Sequence, residues 1–369
     1  MKIQPHLTIL VLLLCFVLQT SHARVIHDTD TTKRLKFLII PTFFVTPEVG
    51  LAYGVSGSFA FKTSFNKDSL TRTSIIQGIG FLTTRQQNVQ AIDASIYFPK
   101  ENYILLGQLA HSYFPDRFWG LGPETKDKPF EHYLYEQYFI NPHLKKKIAK
   151  HLWIGALYEF QYVNKISGYP ENGKFDTAPF KGKKKYQVSG AGLSISYDTR
   201  NTTFWTSKGI LITSQFTNFR KKIQSDYDLV KWITDVRYFY ELNKSHHILA
   251  MQFYNYQTYG QTPLRELSAF GGSNNMRGFY QGRYRANSMI TFITEYRLPI
   301  YGRFSSIIFG GIGDVYNQYS DLSLSNLKYS YGAGLRFSIL AKEKLNIRVD
   351  YGFSSKFNRG IYVTFGECF

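Results

Sequence analysis

Three places in the chain set residues of catalytic or metal-binding type side by side: His111-Ser112, Ser245-His246 and His246-His247. A serine next to a histidine suggests a nucleophile with its base, and two histidines suggest a metal pair. Each reading needs both side chains on one face. Successive residues of an extended strand point to opposite faces, and all three pairs fall on stretches that read as strand or strand end. They cannot cooperate. Ser56 lacks the glycine spacing of a nucleophile elbow, and neither a paired-histidine helical metal motif nor a phosphate-cradling loop occurs. The two cysteines, Cys15 and Cys368, do not have metal-site spacing. The expectation is a non-enzymatic protein without cofactor or metal.

What remains is charge placed among apolar residues. Arg277 lies in a stretch bearing Gly260, Gly271, Gly272, Gly278 and Gly282. Glycine lets a loop bend back without steric penalty. A guanidinium carried into a confined space must then find hydrogen-bonding partners to offset its lost water. By itself, an Arg-Gly-aromatic tripeptide on a loop is ordinarily an exposed surface feature. A second group of charges, Asp93, Asp235, Arg237, Arg348 and Asp350, opposes apolar residues on alternating segments. The Lys181 to Lys185 run reads as a solvated loop, with contact to lipid headgroups or a partner as its less common use.

The elements that must position these charges are strands. Ile92, Ala94, Ile96 and Phe98 alternate with Asp93 and Ser95. Val230, Trp232, Val236, Tyr238 and Tyr240 oppose Lys231, Asp235, Arg237 and Glu241. Leu345, Ile347, Val349, Tyr351 and Phe353 oppose Asn346, Arg348 and Asp350. Alternation alone does not separate a sandwich with its apolar face inward from a barrel with its apolar face outward. Length does, because these segments run ten to fifteen residues, about twice an average strand of five or six. About sixteen such segments are expected, from Phe37–Thr46 to Arg359–Phe369, including Asn102–Tyr113, His132–His143 and His151–Lys165. Short connections (Asn66-Lys67-Asp68, Lys100-Glu101, Asn243-Lys244, Pro299 to Gly302) alternate with long ones (Phe114–Glu131, Ile166–Lys184, Tyr259–Ala286, Tyr316–Leu327). The fold expected is all-β, a transmembrane antiparallel barrel of about sixteen strands. Its short connections should lie on the periplasmic rim and its long ones outside.

Residues 1–23 read as a signal peptide. Lys2 supplies a positive start, Leu7 to Leu18 is an apolar run too short to span a bilayer comfortably, and Ser21-His22-Ala23 offers a cleavage site. Cys15 lies inside the apolar run, which argues against lipoprotein processing and leaves Cys368 alone in the mature chain. Residues 24–36 form a short periplasmic leader and 37–369 the barrel domain. The formal charge of +18 suits solubility or nucleic acid in other settings, but an exported chain points away from nucleic acid and toward anionic lipid. Aromatic content of 17% and mean hydropathy of -0.23 fit strands with one lipid face and one wet face.

The order of several motifs resembles the barrel half of the BamA/TamA-type proteins, the bacterial surface-antigen family, from about Phe37 to Phe369. Phe270-Gly271-Gly272-Ser273-Asn274-Asn275-Met276-Arg277-Gly278-Phe279 is similar to that family's signature in a long sixth outer loop, with Met276 where Val is usual. Tyr113 to Gly122 resembles a third-loop element, Asp198 to Gly209 the turn after the eighth strand, and Glu295 to Pro299 the end of the twelfth. Phe365-Gly366-Glu367-Cys368-Phe369 resembles family termini, with Phe365, Gly366 and Phe369 as the carboxy-terminal barrel signal. The resemblance implies a loop folded into the lumen whose Arg meets an acid on the wall. Family members place that acid in Phe-x-Asp on the thirteenth strand, whereas here Phe309-Gly310-Gly311 puts Gly311 at that position. Asp314, three residues on, faces the other way, so Glu295 is the expected partner of Arg277. Implied too is protein assembly or translocation at the bacterial outer membrane, with outer-membrane lipid, unfolded barrel or secreted clients, and a separate periplasmic partner protein. A passive or substrate-specific channel is the alternative.

Overall fold

The computed structural model describes residues 35–63, 71–203, 205–242, 246–340, 345–355 and 358–369. The expected signal peptide, Asn66-Lys67-Asp68, Ser245 and the Asn243-Lys244 turn lie outside these residues. Sixteen antiparallel strands follow one another and close on themselves. They are β1 (Leu35–Thr46), β2 (Gly50–Phe61), β3 (Ser74–Thr83), β4 (Asn88–Tyr97), β5 (Tyr103–Phe118), β6 (Glu131–Ala149), β7 (Leu152–Tyr169) and β8 (Tyr186–Asp198). The second half comprises β9 (Gly209–Phe219), β10 (Leu229–Glu241), β11 (Ile248–Gly260), β12 (Ser288–Tyr301), β13 (Phe304–Tyr316), β14 (Lys328–Leu340), β15 (Leu345–Ser354) and β16 (Arg359–Phe365).

The alternation read from sequence is realised with its apolar face outward. On β10, Trp232 and Tyr238 are exposed while Lys231 and Asp235 are buried, and on β15 Val349 is exposed while Asp350 is fully buried. Polar residues inward and apolar residues outward is the inverse of a water-soluble sandwich, and it suits a barrel solvated by lipid. Closure gives every strand a neighbour on both sides, most sparingly between β1 and β16, where Val45 pairs with Val363.

Strand ends differ from expectation in several places: β12 runs through most of the expected Pro299 to Gly302 connection to Tyr301, and the largest differences, at β5–β7 and at β16, have physical reasons. β5, β6 and β7 run past Tyr113, His143 and Lys165 to Phe118, Ala149 and Tyr169. Most of the stretch read as a third-loop element is therefore strand. Pairing persists because β5 and β6 stay in register from Tyr103–Lys146 to Phe118–Glu131. At this end of the strands an aromatic cluster covers their inner side, including Phe118, Tyr133, Phe175 and Phe180. β16, by contrast, stops at Phe365 rather than Phe369. Gly366 takes a φ of +75°, and the last three residues turn beneath the barrel wall.

Candidate functional site

The connection between β11 and β12, residues 261–287, folds back into the lumen. Glycines make the reversal possible: Gly271, Gly272 and Gly278 hold φ near +105°, +101° and +103°, a region L side chains rarely occupy. Gly278 also lies so close to β15 that a Cβ would sit 2.6 Å from the Phe353 carbonyl. On the facing strand, a Cβ on Gly352 would meet the Arg277 carbonyl carbon at 2.8 Å. Backbone therefore lies against backbone. The Gly278 N–H donates to the Tyr362 hydroxyl at 2.9 Å, and that hydroxyl donates to the Phe279 carbonyl at 3.2 Å.

This placement carries Arg277 into the protein interior, where it is 2% exposed. Its Nη2 donates to Glu295 Oε1 at 2.6 Å and its Nη1 to Asp350 Oδ2 at 2.7 Å. The guanidinium lies 3.7 Å from the centre of the Phe309 ring, a cation–π geometry. Both carboxylates are shared. Glu295 also accepts from Arg297 Nε at 3.0 Å, and Asp350 from Arg336 Nη1 at 2.5 Å. Arg336 extends the cluster to Glu367 at 2.9 Å, and Arg348 Nη2 donates to Asn274 of the loop at 2.6 Å. Four buried guanidiniums thus lie among three side-chain carboxylates. Alternation puts Glu295 and Arg297 of β12, and Arg348 and Asp350 of β15, on the inner face, while β14 supplies Arg336, the loop Arg277 and the tail Glu367.

The chain terminus joins the same assembly. Phe365 faces outward, but Cys368 and Phe369 are buried with Phe270, Met276 and Phe279. Phe369 packs on Phe239 with ring centres 6.3 Å apart, and its main-chain oxygen accepts from Arg297 at 3.2 Å. Of the three terminal residues singled out, Phe369 lies in the loop cluster and off any strand, because Gly366 breaks the strand and the Glu367–Arg336 pair holds the turned tail.

The loop is anchored along its whole length. Glu266 and Glu159 of β7 share Lys231 of β10, with Glu266 at 2.9 Å. The Gln281 N–H donates to Glu48 in the β1–β2 turn at 2.7 Å, and the Tyr280 hydroxyl donates to Asp116 at 3.0 Å. Leu264 and Leu267 join the aromatic cluster under the 170–185 loop. The lumen expected to be wet is therefore largely packed at this end.

A family model described as the Omp85 superfamily domain matches residues 76–369. The chain belongs to the Omp85 superfamily. Among solved structures, this Omp85 barrel is similar to BamA from Haemophilus ducreyi lacking POTRA domains 1–3, with a TM-score of 0.61 and 12% identity over 90% of this chain and 70% of that one. CdiB from Acinetobacter baumannii gives 0.55 and 11% over 90% and 65%, and CdiB from Escherichia coli 0.53 and 10% over 90% and 68%. These likenesses are of fold. No curated protein matches the chain.

The Omp85 chain departs from the motif in an instructive way. Gly311 faces the loop tip as alternation requires, yet a Cβ there would stand 3.0 Å from Met276 Sδ. Met276 fills the room an acid at that position would need. Asp314 is turned elsewhere and pairs with Lys328 at 2.5 Å. Asp350 is the second partner that sequence reasoning missed as a ligand of Arg277. Its inward orientation was legible from the β15 alternation, but which loop residue it meets depends on how the curved wall from β12 to β15 surrounds the loop, which periodicity does not encode. Gly352 and Tyr362 were missed for the same reason. The adjacent histidines part company: His246 pairs with Glu241 at 2.5 Å and His247 with the Tyr296 hydroxyl at 2.6 Å. Asp93 accepts from Gln108 at 2.9 Å, and Asp235 from Arg237 Nη2 at 2.6 Å. Neither reaches the loop cluster.

Proposed function

We propose that this Omp85 barrel resides in a bacterial outer membrane and helps proteins, or lipid, insert into or cross it at the seam between β1 and β16. The observation that carries this reading is the seam's pairing. Among the described residues β1 registers with β16 at Val45–Val363 alone. On its other side β1 pairs with β2 from Leu35–Phe61 to Thr46–Gly50, and β16 pairs with β15 from Ile347–Phe365 to Phe353–Arg359. A strand edge that few bonds hold can exchange them for those of an incoming strand. The clients are unfolded barrel or secreted chains, met with the help of a separate periplasmic protein. The packed loop and its ion pairs weigh against a passive channel, because they occupy the cross-section that solute would need.

The test is a cross-link. In a Cys368→Ser background, Val45→Cys with Val363→Cys should seal the seam, and Phe43→Cys with Tyr53→Cys should tie β1 to β2 as a control. Insertion of an unfolded barrel protein into liposomes carrying the sealed variant should stop and return on reduction, while the control stays active. Activity that survives sealing would remove the seam from the mechanism. A large steady conductance of the wild type in planar bilayers would favour the channel.

A further inference from the structure

A cavity of about 230 Å³ opens at the loop rim, several times the roughly 30 Å³ that one water occupies. It is walled by Pro47 of the β1–β2 turn, the β5–β6 connection, Tyr280 of the lumen loop, and the start of β16. The wall bears five basic side chains, Arg85, Arg117, Lys128, Arg283 and Arg359, and one acid, Asp127. Asp127 is already engaged: it accepts from Arg283 Nε at 3.2 Å and from Asn358 Nδ2 at 3.3 Å. Arg283 completes its bonds on Thr125, at 2.8 Å to the hydroxyl and 2.9 Å to the carbonyl.

The other four cations make no close ion pair, and Asp116 and Glu48 act on Arg117 only from a greater distance. Among the described residues no carboxylate comes within ion-pair distance of Arg85, Arg117, Lys128 or Arg359. The nearby acids serve other groups, since Glu48 accepts from the Gln281 N–H and Asp116 from the Tyr133 and Tyr280 hydroxyls. Arg117 is the most telling. Its guanidinium lies over the Phe130 ring at 4.4 Å and near the Tyr280 ring at 5.2 Å. Its Nε is buried without a hydrogen-bond partner. A buried donor left unmade is costly, and with rings on two sides the cavity is where an acceptor fits.

We propose that this cavity binds a phosphate-bearing anion, gripped by Arg117 and Arg85 and closed from solvent by Lys128 and Arg359. Guanidinium forks match the oxygens of phosphate bidentately, and convergent cations suit a group of more than one negative charge. Trp119 and Phe130 give the site an apolar flank. Two sources share this chemistry: a phosphorylated lipid headgroup, which a rim cavity would meet from the membrane, and free phosphate or pyrophosphate from solution.

The experiment uses the full chain in zwitterionic detergent. Titration calorimetry with inorganic pyrophosphate is one arm. Native mass spectrometry with a bis-phosphorylated glycolipid, against the same glycolipid stripped of its phosphates, is the other. The expected result is preferential retention of the phosphorylated glycolipid, with Arg85→Gln/Arg117→Gln weakening it by about tenfold or more, as the loss of charged hydrogen bonds implies. Binding of pyrophosphate with the same loss assigns the site to soluble phosphate as well, and its failure beside lipid binding assigns it to the headgroup. The single variant Arg359→Gln, exposed at the mouth, gives an independent and smaller loss if the double variant does not fold. The proposal is overturned if the wild type holds neither probe by its phosphates, or if the folded variants bind as the wild type does.

Discussion

At the scale of residues, the buried cluster is unequal in its side-chain charges. Arg277, Arg297, Arg336 and Arg348 outnumber Glu295, Asp350 and Glu367, and Asp350 alone lies within 4 Å of three guanidiniums. Removing one partner of a buried pair costs most when it leaves a charge alone. Arg277→Ala leaves Glu295 with Arg297 and Asp350 with Arg336, so it should cost at or below the low end of about 3–5 kcal/mol. Asp350→Asn leaves three guanidiniums short of an acid and should be the more damaging change. Urea unfolding followed by heat-modifiable gel mobility would rank the two, and the reverse order would refute the shared-acid account. Thiol labelling adds a second readout, because Cys368 is buried in the same cluster and its burial pushes the thiol's pKa up. It should react faster in both variants than in the wild type.

Glu48 makes a prediction of opposite sign. Burial raises its carboxyl pKa from the ordinary 4.5, against the lowering effects of the Thr46 side chain and the Gln281 N–H. The folded group binds its proton more tightly than the unfolded one. Its stabilising contribution is therefore complete below the unfolded value and is lost as pH rises through the folded value. Glu48→Gln keeps an acceptor for Gln281 and removes the buried charge. At pH 7 the variant should unfold at higher temperature than the wild type, and the gap should close near pH 4, around the ordinary glutamate value. A variant less stable at pH 7 would mean that the charge itself is needed there.

At the scale of elements, the lumen loop depends on backbone that side chains would block. Gly278→Ala forces a Cβ toward the Phe353 carbonyl at positive φ and should cost about 1–3 kcal/mol in strain. The expected sign is a loop opened to protease, with Arg277 drawn from its carboxylates. Gly302 is the matched control: it too has positive φ, +58°, but nothing stands within 4 Å of its Cβ position. Gly302→Ala should leave the loop protected. Equal protection of both variants would show that the close approach to β15 is not required.

At the scale of the whole molecule, antiparallel order sets the rims. The connections of odd to following even strands share one rim, so the 170–185 and 261–287 loops lie together, opposite the β12–β13 turn at Gly302. Lys181, Lys184 and Lys185 are exposed on the loop rim. Trypsin added outside intact cells should cut near them and spare Arg303. Cutting at Arg303 with the lysines spared would invert the orientation.

The sequence by itself determined the elements and their faces. Sixteen runs of period-two polarity specify strands because a pleated backbone turns successive side chains to opposite sides, and their length exceeds what a sandwich uses. The same rule turned Glu295 and Asp350 inward, and the glycines around Arg277 marked a chain able to reverse. Tertiary structure alone decided which inward charges meet. Residues 277, 295, 336, 350 and 367 come together only because closure brings β12, β14 and β15 around one lumen and the tail turns under them. Gly352 beside Arg277, Met276 in the space before Gly311, and the end of β16 at Phe365 have the same origin. Alternation fixes a direction for each side chain, whereas contact across a barrel is set by register, curvature and the volume left by every other residue in the lumen.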